Sequence, residues 1–251
     1  MKNTLFNKQA VKTIATALGE LNAQVVFVGG AVVSLYIDDP SADDVRPTKD
    51  VDISLHIATF SELEKIRLSL TKKGFFQTSE DNVICRFRFQ DIKVDVMSTQ
   101  PVGWAPANRW FEPGFHHLQT AQLDEVQVKI LSLPWFLAAK FDAFYDRGFN
   151  DPRTSQDFED IVYLLNYTTN LEKIILKADA DVQLYLKEAF ETILENQTVQ
   201  EAVVGNLYYE DQIKRFNKII QMLKNIIHNL HLKKHRITFY HPKGSNQLVL
   251  L

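Results

Sequence analysis

Cysteine is nearly absent from this sequence, and that absence limits both its cross-links and its metal chemistry. Cys85 is the only cysteine in 251 residues, so no disulfide can form within the chain and no cysteine-rich metal site can be built. Proteins that depend on disulfides belong to oxidising compartments, whereas a chain without them suits a reducing one. A cytoplasmic location is therefore expected.

Long apolar runs and a strong net charge are missing as well. The longest apolar run, residues 25–37, is too short to cross a bilayer and contains two glycines. The N-terminal segment carries scattered lysines and lacks the continuous apolar stretch of a signal peptide. A formal net charge of -3 argues against a protein that coats nucleic acid by bulk charge, although a local basic patch is compatible with it. No membrane partner is expected.

Two common phosphate-binding signatures are missing, although a glycine pair is present. Gly29 and Gly30 follow an apolar strand candidate, 24–28, and precede a helix candidate, 31–36. No third glycine completes Gly-x-Gly-x-x-Gly and no Gly-Lys-Ser/Thr follows, so dinucleotide-binding and Walker A loops are excluded. Glycines at a strand–helix junction still let backbone amides approach a phosphate, and the helix N-terminus favours the anion.

Three aspartates fall on the polar faces of predicted strands. In 50–57, Asp50 and Asp52 alternate with apolar residues, so both side chains leave the same face. Asp95 has the equivalent position in 92–97, the second strand of a predicted hairpin that begins with 83–89. Such carboxylates suit Mg²⁺, and they would repel one another without a cation. The alternative for any one of them is an ordinary solvated strand face.

The remaining pattern predicts an α+β fold in which strands and helices come first and helices follow. A helix is predicted over 61–73, with Ser61 as its N-cap and Gly74 as its stop. From about Val126 the pattern becomes helical, with helices over 135–145, 157–165 and 181–195 and an apolar seam over 213–230. We therefore predict a small mixed-sheet α/β domain over 1–125, a helical domain over 126–235 and an extended tail over 236–251.

The first domain contains the segments Val28-Gly-Gly-Ala-Val-Val-Ser-Leu, Arg46-Pro-Thr-Lys-Asp-Val-Asp-Ile and Ile92-Lys-Val-Asp-Val. They are followed by Ser132-Leu-Pro-Trp-Phe-Leu-Ala-Ala-Lys-Phe-Asp-Ala-Phe, Arg147-Gly148 and Ser155-Gln-Asp-Phe-Glu-Asp-Ile. In this order, the segments resemble the polymerase-β-like nucleotidyltransferase superfamily, and most closely the AbiEii-type family of toxin-like bacterial nucleotidyltransferases. The resemblance covers about 25–165 and implies that 1–125 is the nucleotidyltransferase catalytic domain. Two positions depart from the pattern: Ala31 stands where many relatives have Ser or Thr, and Gln156 where many have His.

The resemblance implies transfer of a nucleoside monophosphate (NMP) from a nucleoside triphosphate (NTP) to an acceptor, with two Mg²⁺ ions, or Mn²⁺ in their place. It implies that three aspartates hold the ions, with Asp95 on the acceptor side. The other expected contacts are phosphate binding by Gly29 and Gly30, a substitute hydroxyl from Ser34, a cationic contact from Lys140, and an orienting role for Asp157. Arg46 and Lys49 flank the Asp-x-Asp strand, and each is either a phosphate contact or a solvated loop residue.

The resemblance also suggests an acceptor and a protein partner, and two alternative functions remain open. Toxin-like relatives imply a macromolecular acceptor such as tRNA or another RNA, and a cognate antitoxin protein. The first alternative keeps the reaction but transfers to a small hydroxylated molecule such as an antibiotic. The second is a catalytically silent protein that binds a nucleotide or a partner, against which the three intact aspartates count.

Overall fold

The computed structural model describes residues 2–239 and confirms the α+β fold, a mixed sheet with helices after it. The strands are β1 (Val25–Val28), β2 (Asp50–Leu55), β3 (Arg86–Phe89), β4 (Ile92–Ser98), β5 (Leu118–Leu123) and β6 (Val126–Leu131). The helices are α1 (Lys2–Leu18), α2 (Phe60–Lys72), α3 (Phe111–Gly114), α4 (Leu133–Arg147), α5 (Gln156–Tyr167), α6 (Leu171–Lys177), α7 (Ala180–Glu195), α8 (Gln197–Gly205) and α9 (Gln212–Phe239).

The six strands form one sheet in the order β3-β4-β2-β1-β6-β5. Strand β1 runs antiparallel to β2 and parallel to β6, while β2 and β4 run parallel. All four residues of β1 are buried, as expected for a central strand covered on both faces. Because β2 and β4 are parallel and adjacent, their polar positions lie side by side at one end of the sheet.

Local turn and cap chemistry follows the sequence closely, with two differences. The hairpin of β3 and β4 is confirmed, and its turn contains Gln90 at a φ of 53°. Helix α2 is capped by Thr59 in a capping box with Glu62, so the prediction of Ser61 as the N-cap is wrong; the box satisfies two helix-end amides at once. Gly74 follows the helix at a φ of 89°, as predicted. Residues 30–36 form a 3₁₀ helix.

Strand β6 corrects the predicted change from strand to helix at Val126. Val126, Val128 and Ile130 alternate with polar residues, and the strand pairs with β5 and with the central strand β1. Helix begins only at Leu133. The sheet therefore includes a strand that follows the predicted domain boundary near residue 125, and the domain division itself stays a prediction.

The later helices share a continuous apolar core with the sheet. Helix α4 packs against α5 and α7, and α9 packs against α6 and α7 within the chain. Helix α9 runs to Phe239, so the predicted extended tail is corrected over 236–239; residues 240–251 lie outside the described residues. Within the described part of the chain, none of the helices has the length and apolar character needed to cross a membrane.

Candidate active site

A cleft of about 1160 Å³ separates one end of the sheet from the helices. The sheet side of its wall carries Gly29, Gly30, Asp50, Asp52 and Asp95, and the helical side carries Arg46, Lys140, Arg147 and Asp157. Eight of these nine residues, all except Arg147, are among those singled out individually from the sequence. The structure therefore brings carboxylates, paired glycines and cations from distant parts of the chain to one cavity.

The three carboxylates are aligned by strand register. Asp52 lies opposite Asp95 on β4 and opposite Val28 on β1, so the acidic pair and the start of the glycine segment adjoin. No hydrogen bond or ion pair to the Asp52 carboxylate is present among the described residues. Burial, together with the charges of Asp50 and Asp95, raises the pKa of Asp52 to about 7. Asp52 is therefore a carboxylate whose ionised form needs a cation.

Arg86 supplies positive charge to the other two carboxylates, and the sequence reasoning missed it. Its Nε and Nη2 donate to the two oxygens of Asp95, each at 2.7 Å, and Nη2 also donates to Asp50 Oδ2 at 3.0 Å. The hydrogen bond to Asp95 is the main cause that raises the pKa of Arg86 above its usual value. The register of the hairpin makes Arg86 the direct cross-strand partner of Asp95, so counting back from the two-residue turn would have identified it.

The donor set fits a hard divalent cation. Three carboxylates on adjacent strand positions offer only oxygen ligands, which Mg²⁺ prefers, and Asp52 has its oxygens free towards the cleft. Among the described residues no three acidic, histidine or cysteine side chains are already arranged as a metal site. Arg86 engages Asp95 and Asp50, whereas Asp52 forms no hydrogen bond with it. The three carboxylates thus suit Mg²⁺, but two of them, Asp50 and Asp95, are paired with the guanidinium of Arg86.

The two glycines leave space that no other residue would leave. Gly29 has φ 71° and ψ -165°, a backbone region that essentially only glycine occupies. A Cβ at Gly29 would lie 1.8 Å from Asp52 Oδ2, and one at Gly30 would lie 2.4 Å from Arg46 Nη2. The backbone therefore passes directly beneath the carboxylate and the guanidinium, where it forms one wall of the cleft.

We expect Gly29→Ala to destabilise the protein by at least ~2 kcal/mol, because the new methyl group adds a clash to a left-handed backbone strain. Thermal melting would measure this, together with binding of a fluorescent NTP analogue, which should be lost. Gly205→Ala is the matched control, since Gly205 ends α8 and a Cβ there meets nothing within 4 Å. Equal melting temperatures for the two variants would contradict the close approach of the Gly29 backbone to Asp52.

A buried ion network forms the opposite wall of the cleft. Lys140 Nζ donates to Asp157 at 3.2 Å and to Asp160 at 2.7 Å. Arg46 holds Asp160 with two hydrogen bonds of 2.8 and 3.0 Å, and Arg147 Nε donates to Asp157 at 2.7 Å. Burial would lower the pKa of Lys140, but Asp160 and Asp157 outweigh it, so that pKa is raised. Lys140 is therefore held charged.

The charges of this network do not cancel, which matters for an anionic ligand. Three cations, from Arg46, Lys140 and Arg147, surround the two carboxylates Asp157 and Asp160. Burial raises the pKa of Asp157, but Lys140 and Arg147 together lower it below its usual value. The wall therefore presents one positive charge in excess over these five groups, next to the glycine wall. That arrangement suits a phosphate.

The loop that carries Arg46 is fixed by the first helix. Asn7 is buried in α1; its Nδ2 donates to the carbonyl of Arg46 at 3.1 Å, and its Oδ1 accepts from the Thr48 amide at 3.2 Å. Asp44 accepts from the amides of Asn3 and Thr4 at the start of α1, each at 2.8 Å. A loop rich in polar residues thereby gains a defined path, and Arg46 is held over Gly30.

Two predicted contacts are not brought to the cleft. Ser34 is buried in the 3₁₀ helix and is absent from the cleft wall, because the tighter helical turn directs it into the protein. Lys49 is exposed outside the cleft, since it alternates with the inward-facing Asp50 at the start of β2. Asp160, by contrast, was not singled out. It lies one helical turn after Asp157, a spacing that places both on one face of α5.

The outer part of the cleft has a different character from the inner part. Arg109 pairs with Asp142 at 2.8 Å and lies over the ring of Tyr185, 4.7 Å from its centroid. Asp146 and Asp151 lie on the same rim and are exposed. The rim therefore combines a stacked guanidinium with three carboxylates.

Comparison with known proteins places this cleft in a family context. The family model described as "Nucleotidyl transferase AbiEii toxin, Type IV TA system" matches residues 14–226, while no curated protein matches the chain. One similar solved structure is an antigenic nucleotidyltransferase-like protein from Paracoccidioides brasiliensis, at 18% identity and a TM-score of 0.45, with 83% of this chain and 96% of that chain covered. Another is the antibiotic-resistance factor ANT(2'')-Ia, at 11% identity and a TM-score of 0.46, with 76% of this chain and 96% of that chain covered. The family match includes every residue of the cleft wall described above.

Proposed function

The chain belongs to the AbiEii nucleotidyltransferase toxin family, and from that premise we propose that it is a metal-dependent enzyme that moves an NMP from an NTP to RNA, with tRNA as the first acceptor to test. The observation that supports this most is the single cleft in which three aspartates face a cationic network across a pair of glycines. Positioning and charge stabilisation account for most of the catalysis of phosphoryl transfer, and these groups supply both.

Each group has a role in this proposal. Asp50, Asp52 and Asp95 hold divalent cations, Mg²⁺ or Mn²⁺, and bound cations would supply charge stabilisation at the transferred phosphorus and its oxygens. The backbone amides of Gly29 and Gly30 hold the terminal phosphates. Lys140, Arg46 and Arg147 neutralise the triphosphate, and Asp157 orients Lys140 towards it.

The family description and the rim of the cleft both bear on the acceptor. The family description names a toxin of a toxin–antitoxin system, which supports a cellular macromolecule as the acceptor and a cognate antitoxin as a partner. Arg109, stacked on Tyr185 at the rim and 62% exposed, offers an acceptor nucleotide both a positive charge and a planar surface.

A second candidate keeps the reaction and replaces RNA with a cationic, hydroxylated small molecule. Asp142, Asp146 and Asp151 line the outer cleft against Arg109. Three carboxylates against one guanidinium would repel the phosphates of RNA and attract an amine. The acidic rim is the observation that favours this candidate.

One labelling experiment separates the candidates. The full chain is incubated with each of the four α-³²P-labelled NTPs, Mg²⁺ and either total cellular RNA or a panel of hydroxylated amines. We expect one NTP to label RNA in the tRNA size range, and EDTA to abolish the label. Label on the amines alone would support the second candidate, and no transfer in any arm would contradict both.

A further inference from the structure

Arg86 is tied to two of the three carboxylates that the proposed function assigns to metal binding. Its guanidinium donates hydrogen bonds to both oxygens of Asp95 and to one oxygen of Asp50, but none to Asp52. A guanidinium cannot lose its proton in a protein, so it leaves the carboxylates by moving away and not by titration. Any other cation that joins Asp50 and Asp95 must compete with it.

Arg86 reaches the carboxylates from the edge of the sheet, outside the cleft. Strand β3 is the edge of the sheet and pairs only with β4 among the strands of the sheet. Arg86 is not part of the cleft wall, so it reaches the carboxylates from the edge of the sheet and not from the side on which an NTP would enter. Movement of its side chain away from Asp50 would therefore not have to pass through the cleft.

The charges of the site also favour replacement of the Arg86 guanidinium by a divalent cation. One positive charge faces the carboxylates of Asp50 and Asp95, and Asp52 adds a third carboxylate directly opposite Asp95 on the neighbouring strand. A divalent cation would neutralise more of this charge than a guanidinium does, but it must first overcome a bidentate, charge-assisted pair.

We propose that Arg86 is an internal competitor for the divalent cation that Asp50 and Asp95 share, and that it holds these carboxylates in position until the cation displaces it from Asp50. Arg86 is thus a positioning residue that lowers the affinity of the empty site for metal. This inference rests on the proposed metal-dependent transfer.

Metal binding to the full chain, stripped with EDTA and titrated with Mn²⁺ alone, tests this inference. Free Mn²⁺ is followed by electron paramagnetic resonance. We expect Arg86→Gln to bind Mn²⁺ at least ~10-fold more tightly than the unchanged protein, a ratio equivalent to ~1.4 kcal/mol. Arg86→Lys, which keeps the charge but loses the two-pronged geometry, should fall between them. A purely structural role for Arg86 predicts the opposite, weaker binding by the Gln variant.

The chain offers a matched control on the same strand. Arg88 holds Asp81 with two hydrogen bonds of 2.7 and 3.0 Å, and neither residue lines the cleft. Arg88→Gln breaks an equivalent pair and should leave Mn²⁺ affinity unchanged. Thermal melting adds a second readout, because Mn²⁺ should raise the melting temperature of Arg86→Gln more than that of Arg88→Gln.

Equal or weaker Mn²⁺ binding by Arg86→Gln than by Arg88→Gln, or a smaller melting shift, overturns the inference. The labelling assay on the same preparations shows whether the proposed function fails with it. If the unchanged protein transfers an NMP in Mg²⁺ and loses that activity in EDTA, the proposed function stands and only the role of Arg86 is wrong.

Discussion

Asp52→Asn is expected to lower NMP transfer by at least ~1000-fold, equivalent to ~4 kcal/mol of transition-state stabilisation. Asparagine matches aspartate in shape, so the change removes the charge and leaves the packing against Gly29 in place. Of the three carboxylates, Asp52 is also the one that forms no hydrogen bond or ion pair with a described side chain, so it has the most to gain from a cation. The rate of NTP turnover at saturating Mg²⁺ measures the loss.

The same substitution should make the metal-free protein more stable. The folded pKa of Asp52, about 7, lies above the ~3.9 of an unfolded aspartate. A raised folded pKa gives stability that is fully present below the unfolded value and is lost as pH rises through the folded value. In EDTA, the advantage of Asp52→Asn should therefore grow from pH 5 to pH 8.

The size of that advantage is limited by solvent in the cleft. The full shift corresponds to ~4 kcal/mol, and the partial exposure of Asp52 reduces our expectation to ~2 kcal/mol, or ~6 °C in melting temperature. Asp91→Asn, in the exposed turn of the β3–β4 hairpin, is the control and should leave activity and stability unchanged at every pH. If the gain in stability from Asp52→Asn becomes smaller as pH rises, the Asp52 carboxylate does not have a raised pKa in the metal-free protein.

Lys140→Met is expected to cost both activity and ~3 kcal/mol of stability, about 10 °C in melting temperature. Lys140 is only 6% exposed and, within residues 2–239, is the one side chain that forms ion pairs with both Asp157 and Asp160. Methionine fills the volume of the lysine side chain but removes the positive charge beside the buried carboxylates of Asp157 and Asp160. A buried charge that loses its partner destabilises the fold.

A partly buried ion pair within one helix gives the comparison for this loss. Lys187 pairs with Glu191 at 2.7 Å, one helical turn away on α7, and such pairs contribute less than about 1 kcal/mol. Lys187→Met should therefore change the melting temperature by no more than ~3 °C and leave transfer intact. If Lys140→Met melts like Lys187→Met but transfers no NMP, Lys140 contacts the nucleotide without supporting the fold.

The carboxylate side of the cleft was accessible to sequence reasoning because strand periodicity determines which side chains share a face. Asp50 and Asp52 alternate with buried residues, and Asp95 has the same phase in the parallel neighbour. Gly29 and Gly30 are weak evidence by themselves, and they stood out because an Asp-x-Asp strand and a hairpin strand with an aspartate follow them in order. The fold class followed from the same patterns.

Other features required three-dimensional information. The pairing of Arg46 with Asp160 joins residues 114 positions apart, and no local pattern reports such a contact. Strand β6 has clear alternation, but the helical residues directly after it obscured the signal. Ser34 and Lys49 were chosen by proximity in sequence to the glycines and aspartates, whereas side-chain direction in a 3₁₀ turn and at a strand end places both outside the cleft.

The most direct test of the account is the location of Mn²⁺ by anomalous scattering, in crystals grown with a non-hydrolysable NTP analogue. The account predicts Mn²⁺ bound by Asp50 and Asp52, with the phosphates of the analogue against Gly29 and Gly30 and facing Lys140. Mn²⁺ bound elsewhere, or an analogue whose phosphates lie away from the glycines, would contradict it.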